Sequence, residues 1–212
     1  MTDIKYIKEQ FPFINDRQSE QLAMLEDLYG QWNAKINVIS RKDIDNIFIH
    51  HILHSLSIAK IVRFQPNTKI LDVGTGGGFP GIPLAVLFPS AKFHLIDRIA
   101  KKIKVVNAVK DALNLKNVTA EQIPCEEITQ KYDFIVSRAV TNLPDFLTIT
   151  KNKLNNKHNN AIKNGILYLK GNDAAAELAD YNGKYLIHNI KDYFKDDFFE
   201  TKTIVYIPLA NK

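Results

Sequence analysis

The stretch Ile70-Leu-Asp-Val-Gly-Thr-Gly-Gly-Gly-Phe-Pro-Gly81 constrains the fold more than any other part of the chain. A short apolar run, Lys69–Val73, leads into glycines at 74, 76, 77, 78 and 81, and a helical pattern follows over 82–88. Glycines between a strand and a helix let the backbone turn tightly and approach a ligand that a Cβ would exclude. In a doubly wound sheet such a loop falls at the carboxyl ends of the strands, where ligands sit. The next strand candidate, Lys92–Asp97, ends in a carboxylate 23 residues after Gly74. A carboxylate there accepts both hydroxyl hydrogens of a ribose, so loop and acid together predict an adenosine-containing cofactor.

The remaining pattern supports such a sheet. Strand candidates Lys69–Val73, Lys92–Asp97, Val118–Gln122, 132–138 and 166–170 alternate with helical patterns over 82–88, 99–113 and 143–154, which predicts βαβ units and a parallel sheet. In the tail, 185–191 and 201–207 are expected to pair as antiparallel strands. The beginning reads differently. Leu22, Leu25, Leu28, Tyr29 and Trp32 form one helical stripe, with Asp16 or Ser19 as its cap, and a second helical pattern runs from Ile49 to Ile61. The Gln65-Pro66-Asn67 break divides the chain into a helical segment, 1–66, and an α/β unit, 67–212. The Asn/Lys-rich segment 151–164 is expected to be a mobile loop.

Charge follows the same division. Of 28 Lys+Arg and 23 Asp+Glu, residues 1–66 hold eight of each, so the whole excess of +5 lies in 67–212. The stretches 98–110 and 151–170 contain no acid. They read either as a footprint for phosphate backbones, with Arg98, Lys101 and Lys102 as contacts, or as solvated faces. An apolar share of 45% supplies a core, and the single Cys125 excludes an intramolecular disulfide and a multi-cysteine zinc site. His50 and His54 stand one helical turn apart but have no third ligand, so no metal is expected. No apolar run approaches the roughly 18 residues of a membrane span, and the first residues lack the order of a signal peptide; a cytoplasmic protein is expected.

Two cofactor readings compete at the loop. Gly76-x-Gly78-x-x-Gly81 matches the dinucleotide fingerprint formally. Against it, Asp72 gives the D-x-G-x-G arrangement of S-adenosylmethionine loops, and Pro80 and Pro83 leave fewer N–H groups for a pyrophosphate. Asp72 would face a cofactor that carries a sulfonium and an ammonium. The run from Asp72 through Gly74, Gly76, Phe79 and Pro83 to Leu84 then resembles the signature loop of the RsmG (GidB) family. Trp32-Asn33 with Asn37, His51-Ile-Leu-His-Ser55, Ser137-Arg138-Ala139 and Leu169-Lys170-Gly171 resemble further motifs of that family, so the resemblance spans nearly the whole chain.

The resemblance implies a class I S-adenosylmethionine-dependent methyltransferase: a Rossmann-like parallel sheet with antiparallel C-terminal strands and a helical N-terminal extension. It implies methylation of a guanine N7 in bacterial 16S ribosomal RNA, with that RNA or the small subunit as partner and a monomer as the acting form. It places the cofactor on Gly74, Phe79, Asp97, Cys125, Glu126 and Arg138, and assigns Lys170 to the RNA or catalytic face beside Arg138. Phe79 is also the expected stacking partner of a displaced base. The chain departs from the family at His54, where an Asp is common, and at Pro124, where an Arg is common. Guanine N7 carries a lone pair and no proton, so no general base is needed, in keeping with the lack of a recognisable His–carboxylate dyad near the loop. The loop and Asp97 would equally serve a methyltransferase on another RNA or a small molecule, or an assembly factor that kept the pocket without catalysis.

Overall fold

The computed structural model describes residues 3–171 and 173–209. Strands β1 (Lys69–Val73), β2 (Lys92–Asp97), β3 (Val118–Gln122), β4 (Phe134–Arg138), β5 (Gly165–Lys170), β6 (Leu186–Asn189) and β7 (Thr203–Pro208) form one sheet in the order β3-β2-β1-β4-β5-β7-β6. Neighbours from β3 to β5 run parallel, while β7 is antiparallel to both β5 and β6. The central strands are apolar on both faces because helices cover both, as in Phe134-Ile-Val, where all three side chains are buried. From β1 the chain winds outward through β2 to β3, then returns to β4 on the other side of β1. That reversal opens a crevice at the carboxyl ends of β1 and β4.

Helices α1 (Asp3–Gln10), α2 (Asp16–Asn33), α3 (His54–Leu56), α4 (Gly81–Leu87), α5 (Ala100–Ala112), α6 (Leu143–Thr150) and α7 (Ala174–Glu177) complete the frame. Phe11, Leu22, Leu25 and Tyr29 from the first segment share one apolar cluster with Ile70, Phe93 and Phe134 of the sheet. The helical segment therefore covers one face of the sheet.

Several local expectations are corrected. Asp16 and Ser19 do not cap α2. Asn15 does, accepting from the Gln18 N–H while the Gln18 side chain accepts from the Asn15 N–H, a reciprocal capping box. Gln18 Nε2 also donates to the carbonyls of Val86 and Leu87, satisfying the end of α4. The second helical pattern is not one regular helix. A π-helical stretch, Phe48–Leu53, precedes α3, and a 3-10 turn, Ser57–Lys60, follows it. The helix expected over 143–154 stops at Thr150, and Asn152 turns the chain at φ +66°. Tyr132 falls outside β4 and forms an isolated bridge with Leu154. In the segment 151–164, Asn155 donates to Asp133 and Asn160 accepts from the Gln65 N–H, so its asparagines tie it to the sheet's lower edge.

Candidate active site

A cleft of about 670 Å³ lies at the carboxyl ends of β1, β2 and β4, within the roughly 300–1,000 Å³ common for small-molecule sites. The glycine loop forms its floor. Tyr29 of α2 supports the loop from behind, donating to the Gly77 carbonyl at 2.6 Å and packing on Phe79 with ring centroids 4.6 Å apart. Gly76 has φ +58°, and a Cβ there would meet no protein atom within 4 Å, so the backbone is bare toward the cleft. Gly74 has φ +64°, and a Cβ there would collide with Val140 of the opposite wall.

Asp97 ends β2 inside the cleft and is 7% exposed. Its Oδ2 accepts from the Gly76 N–H at 3.0 Å and its Oδ1 from the Ile99 N–H at 2.9 Å. An ionised carboxylate offers about four lone-pair positions, so capacity remains for two ribose hydroxyls. Cys125 and Glu126 line the far end. Burial pushes the Cys125 thiol up to about 11, so it stays protonated and donates to the Ile149 carbonyl. Bare loop, carboxylate and a far wall that includes Ile123 and Ile149 beside Cys125 together fit an adenosine-bearing cofactor.

Asp72 is not brought into the cleft. Side chains alternate along a strand, and Asp72 shares the face of Ile70, turned toward α4. It is fully buried; its Oδ2 accepts from Thr75 Oγ1 at 2.6 Å and from the Gly81 N–H at 2.9 Å. Burial raises its carboxyl to about 7, and Oδ1 has no partner among the described residues. Asp72 thus shapes the loop from beneath.

Arg138, the last residue of β4, lines the cleft. It donates from Nη1 to the His50 carbonyl at 3.1 Å and from Nη2 to His51 Nδ1 at 2.8 Å, with its Cζ 5.2 Å from the Phe79 ring centre. Phe79 is 3% exposed and packed among Tyr29, His51 and Arg138, so its ring is engaged within the protein. The expected absence of a His–carboxylate dyad is overturned: His51 Nε2 lies 2.7 Å from Asp43 Oδ2, directly behind Arg138. Burial and the Arg138 charge lower His51 to about 4, which keeps its imidazole neutral. Beyond Arg138 the backbone is held in a costly conformation, Ala139 at φ +47°. The Tyr168 hydroxyl secures it, accepting from the N–H groups of Val140 and Thr141 and donating to the Thr141 carbonyl.

The remaining basic residues divide. Arg98 lines the mouth but pairs with Glu126, and Lys102 Nζ lies 3.8 Å from Asp97 Oδ2. Lys101 is exposed and forms no ion pair among the described residues. Lys170 does not line the cleft. It is 8% exposed and donates to Glu177 Oε1 at 2.6 Å. Burial disfavours its charge, but Glu177, Asp173 and Tyr168 together outweigh that and raise the ammonium's pKa. Glu177 Oε2 in turn accepts from the Leu143 N–H at 2.6 Å, so Lys170 holds the start of α6 and the cleft wall before it.

Sequence reasoning missed the contribution of the first segment. Val38 packs over Gly77 at the rim, held by Asn33, which accepts from the Val38 and Ile39 N–H groups. Lys35, Arg41 and Lys42 stand exposed on the same loop, in a stretch with no acid between Asp27 and Asp43. That acid-free run was the available signal; the balanced total of the segment concealed it.

Sheet order, glycine loop and terminal carboxylate define a class I methyltransferase that uses S-adenosylmethionine. The family model described as "GidB: rRNA small subunit methyltransferase G" matches residues 18–205, and the chain belongs to that family. It is similar to the ribosomal RNA small subunit methyltransferase G of Flavobacterium johnsoniae, 57% identical over 206 residues, 97% of this chain and 98% of that protein. The counterpart in Bacteroides thetaiotaomicron is 51% identical over 203 residues, 96% of this chain and 98% of that one. Among solved structures, a SAM-dependent methyltransferase from Aquifex aeolicus superposes with a TM-score of 0.55 at 16% identity, covering 72% of this chain and 88% of that one. That last likeness speaks for the fold.

Proposed function

We propose that the chain methylates N7 of a guanine in 16S ribosomal RNA, free or in the small subunit, acting as a cytoplasmic monomer. The observation that carries this reading is Arg138, a guanidinium clamped at the cleft beside the glycine loop, ready to meet a base brought to the donor. Asp97 would hold the ribose, the Gly74–Gly76 backbone the amino-acid portion, and Cys125 with Glu126 the adenine. When bound, S-adenosylmethionine supplies an electrophilic methyl group on sulfur.

N7 presents a lone pair and has no proton to lose, so the protein's task is alignment, a contribution that reaches roughly 7–11 kcal/mol when geometry is near attack. The methyl group that the bound cofactor would supply would leave the accepting base cationic, which the residues around it would have to accommodate. Arg138 retains N–H groups that can donate to guanine O6 and hold the ring edge toward the donor. Lys101 on α5, with Lys35, Arg41 and Lys42 across the rim, would meet RNA phosphates. No helix among the described residues is long and apolar enough to cross a membrane.

The test is chemical mapping of 16S RNA from a strain lacking the gene and from the same strain complemented with it. Borohydride and aniline cleave at 7-methylguanosine, and primer extension then reads the site. A stop that vanishes on deletion and returns on complementation is expected. Identical cleavage patterns in both strains would exclude the assignment.

A further inference from the structure

Behind Arg138 lies a connected set of polar groups that methyl transfer to N7 does not require. His51 Nε2 faces Asp43 Oδ2 at 2.7 Å, and His51 Nδ1 faces Arg138 Nη2 at 2.8 Å. A neutral imidazole has one donor and one acceptor nitrogen. Arg138 has only donors, so Nδ1 must accept, and Nε2 must carry the proton and donate a hydrogen bond to Asp43. Asp43 also accepts from His50 Nδ1, and the His50 ring stacks on Phe198 with centroids 3.9 Å apart. The His50 carbonyl takes the second Arg138 bond at 3.1 Å.

The π-helical stretch, Phe48–Leu53, makes this convergence possible by presenting two consecutive histidines to one carboxylate and the His50 carbonyl to the guanidinium. His51 is 8% exposed, so solvent does not substitute readily for either bond. His54 is 5% exposed, with its Nε2 unpartnered among the described residues.

We propose that Asp43 and His51 are positioning residues: Asp43 locks His51 in the Nε2–H tautomer, and His51 through Nδ1 fixes the plane of the Arg138 guanidinium in the cleft. Three of the five Arg138 N–H groups remain without a partner among the described residues, and the lock determines where they point. Its consequence for methyl transfer rests on the function proposed above, whereas the lock itself does not.

The experiment combines nitrogen-15 NMR of the ligand-free protein with single-turnover methylation of small subunits. In the wild-type protein, His51 should show a protonated Nε2 and a bare Nδ1, and the Arg138 Nη groups should rotate slowly enough to give separate resonances. Asp43→Asn can donate to Nε2 and so favours the opposite tautomer, which turns an N–H toward Arg138. It is expected to collapse the Arg138 resonances and slow transfer at least tenfold, with the thermal midpoint and S-adenosylhomocysteine affinity little changed. His51→Leu should do the same to the resonances and the rate, with a lower thermal midpoint because Asp43 and Arg138 both lose that partner. His51→Asn, whose side-chain oxygen stands where Nδ1 stood, should restore most of the rate and be insensitive to Asp43→Asn added to it.

Unchanged Arg138 resonances in both Asp43→Asn and His51→Leu would overturn the lock whatever the rates show. If the wild-type protein leaves ribosomal RNA unmethylated while Asp43→Asn still alters the resonances, the lock stands and the proposed substrate falls.

Discussion

A methyl group added at Gly81 would lie 2.6 Å from Asp72 Oδ2 and 2.7 Å from Leu95 Cγ, whereas one added at Gly76 would meet no protein atom within 4 Å. These two glycines of one loop therefore answer to different demands. Gly81 is small because α4 must pack against β1 and β2, with its N–H reaching Asp72. Gly76 is bare because its φ is +58° and the cleft begins there. Gly81→Ala is expected to lower stability by about 1–3 kcal/mol through overpacking in urea denaturation. Gly76→Ala should cost only the roughly 1–2 kcal/mol of a side chain in the left-handed region. Its methyl group would occupy cofactor space, so S-adenosylhomocysteine affinity in calorimetry should fall further than for Gly81→Ala. Affinity that follows stability alone in both variants would remove Gly76 from the site. Asp97→Ala tests the carboxylate beside Gly76. It should weaken S-adenosylhomocysteine at least tenfold, and unchanged affinity would withdraw the ribose assignment.

Elements were legible where a single physical rule determines them. β1 and β2 have the expected bounds, because short apolar runs ending at glycine or a polar residue leave little freedom in placing a buried strand, and the mostly exposed edge strand β3 keeps its expected bounds too. Rules that compete locally were not legible. Asn15, Asp16 and Ser19 are all good caps, and only the reciprocal partner Gln18 and the carbonyls of α4 decide for Asn15. The Asp43–His51 pair had no sequence signature, since eight residues of non-periodic spacing become adjacent only through a π-helical stretch. Lys170 illustrates the same limit. The motif that contains it was visible, but its partner Glu177 sits on α7, a short helix, and the pair controls α6. Lys170→Met should leave Glu177 without its cation and cost about 2 kcal/mol in urea denaturation. By loosening the wall at 139–143 it should also weaken S-adenosylhomocysteine several-fold. Glu177→Gln, which keeps an oxygen for the Leu143 N–H, should weaken it less. Equal loss in the two variants would mean that the Lys170–Glu177 ion pair, rather than the Glu177–Leu143 bond, holds the wall.

For the whole molecule, one apolar cluster joins α1 and α2 to the sheet, so titration of groups buried at that junction acts on global stability. Burial, reinforced by the Arg138 charge, lowers His51 from 6.5 to about 4 and holds His54 well below 6.5. Both are neutral when folded but take up protons when unfolded below about pH 6.5. Their contribution is complete above that pH and is lost as the pH falls toward the folded values, at up to about 1.4 kcal/mol per pH unit for each group. Asp72 works the other way. Burial raises it from 3.8 to about 7, so its native form keeps a proton that the unfolded chain releases, and acidification from 7 toward 4 relieves that penalty at a similar rate. Burial lowers His94 and His188 as well, so the histidines together outweigh Asp72 and stability declines as the pH falls below about 6.5. His54→Leu removes one of these histidines and its unpartnered Nε2 with it. The variant is expected to be at least as stable as the wild type at pH 7.5, with a urea midpoint that declines less steeply on acidification than the wild-type midpoint. A variant that declines as steeply as the wild type would show that His54 is already protonated in the folded protein, and that its ring is not held neutral between Arg138 and the aromatic pair Phe198 and Phe199.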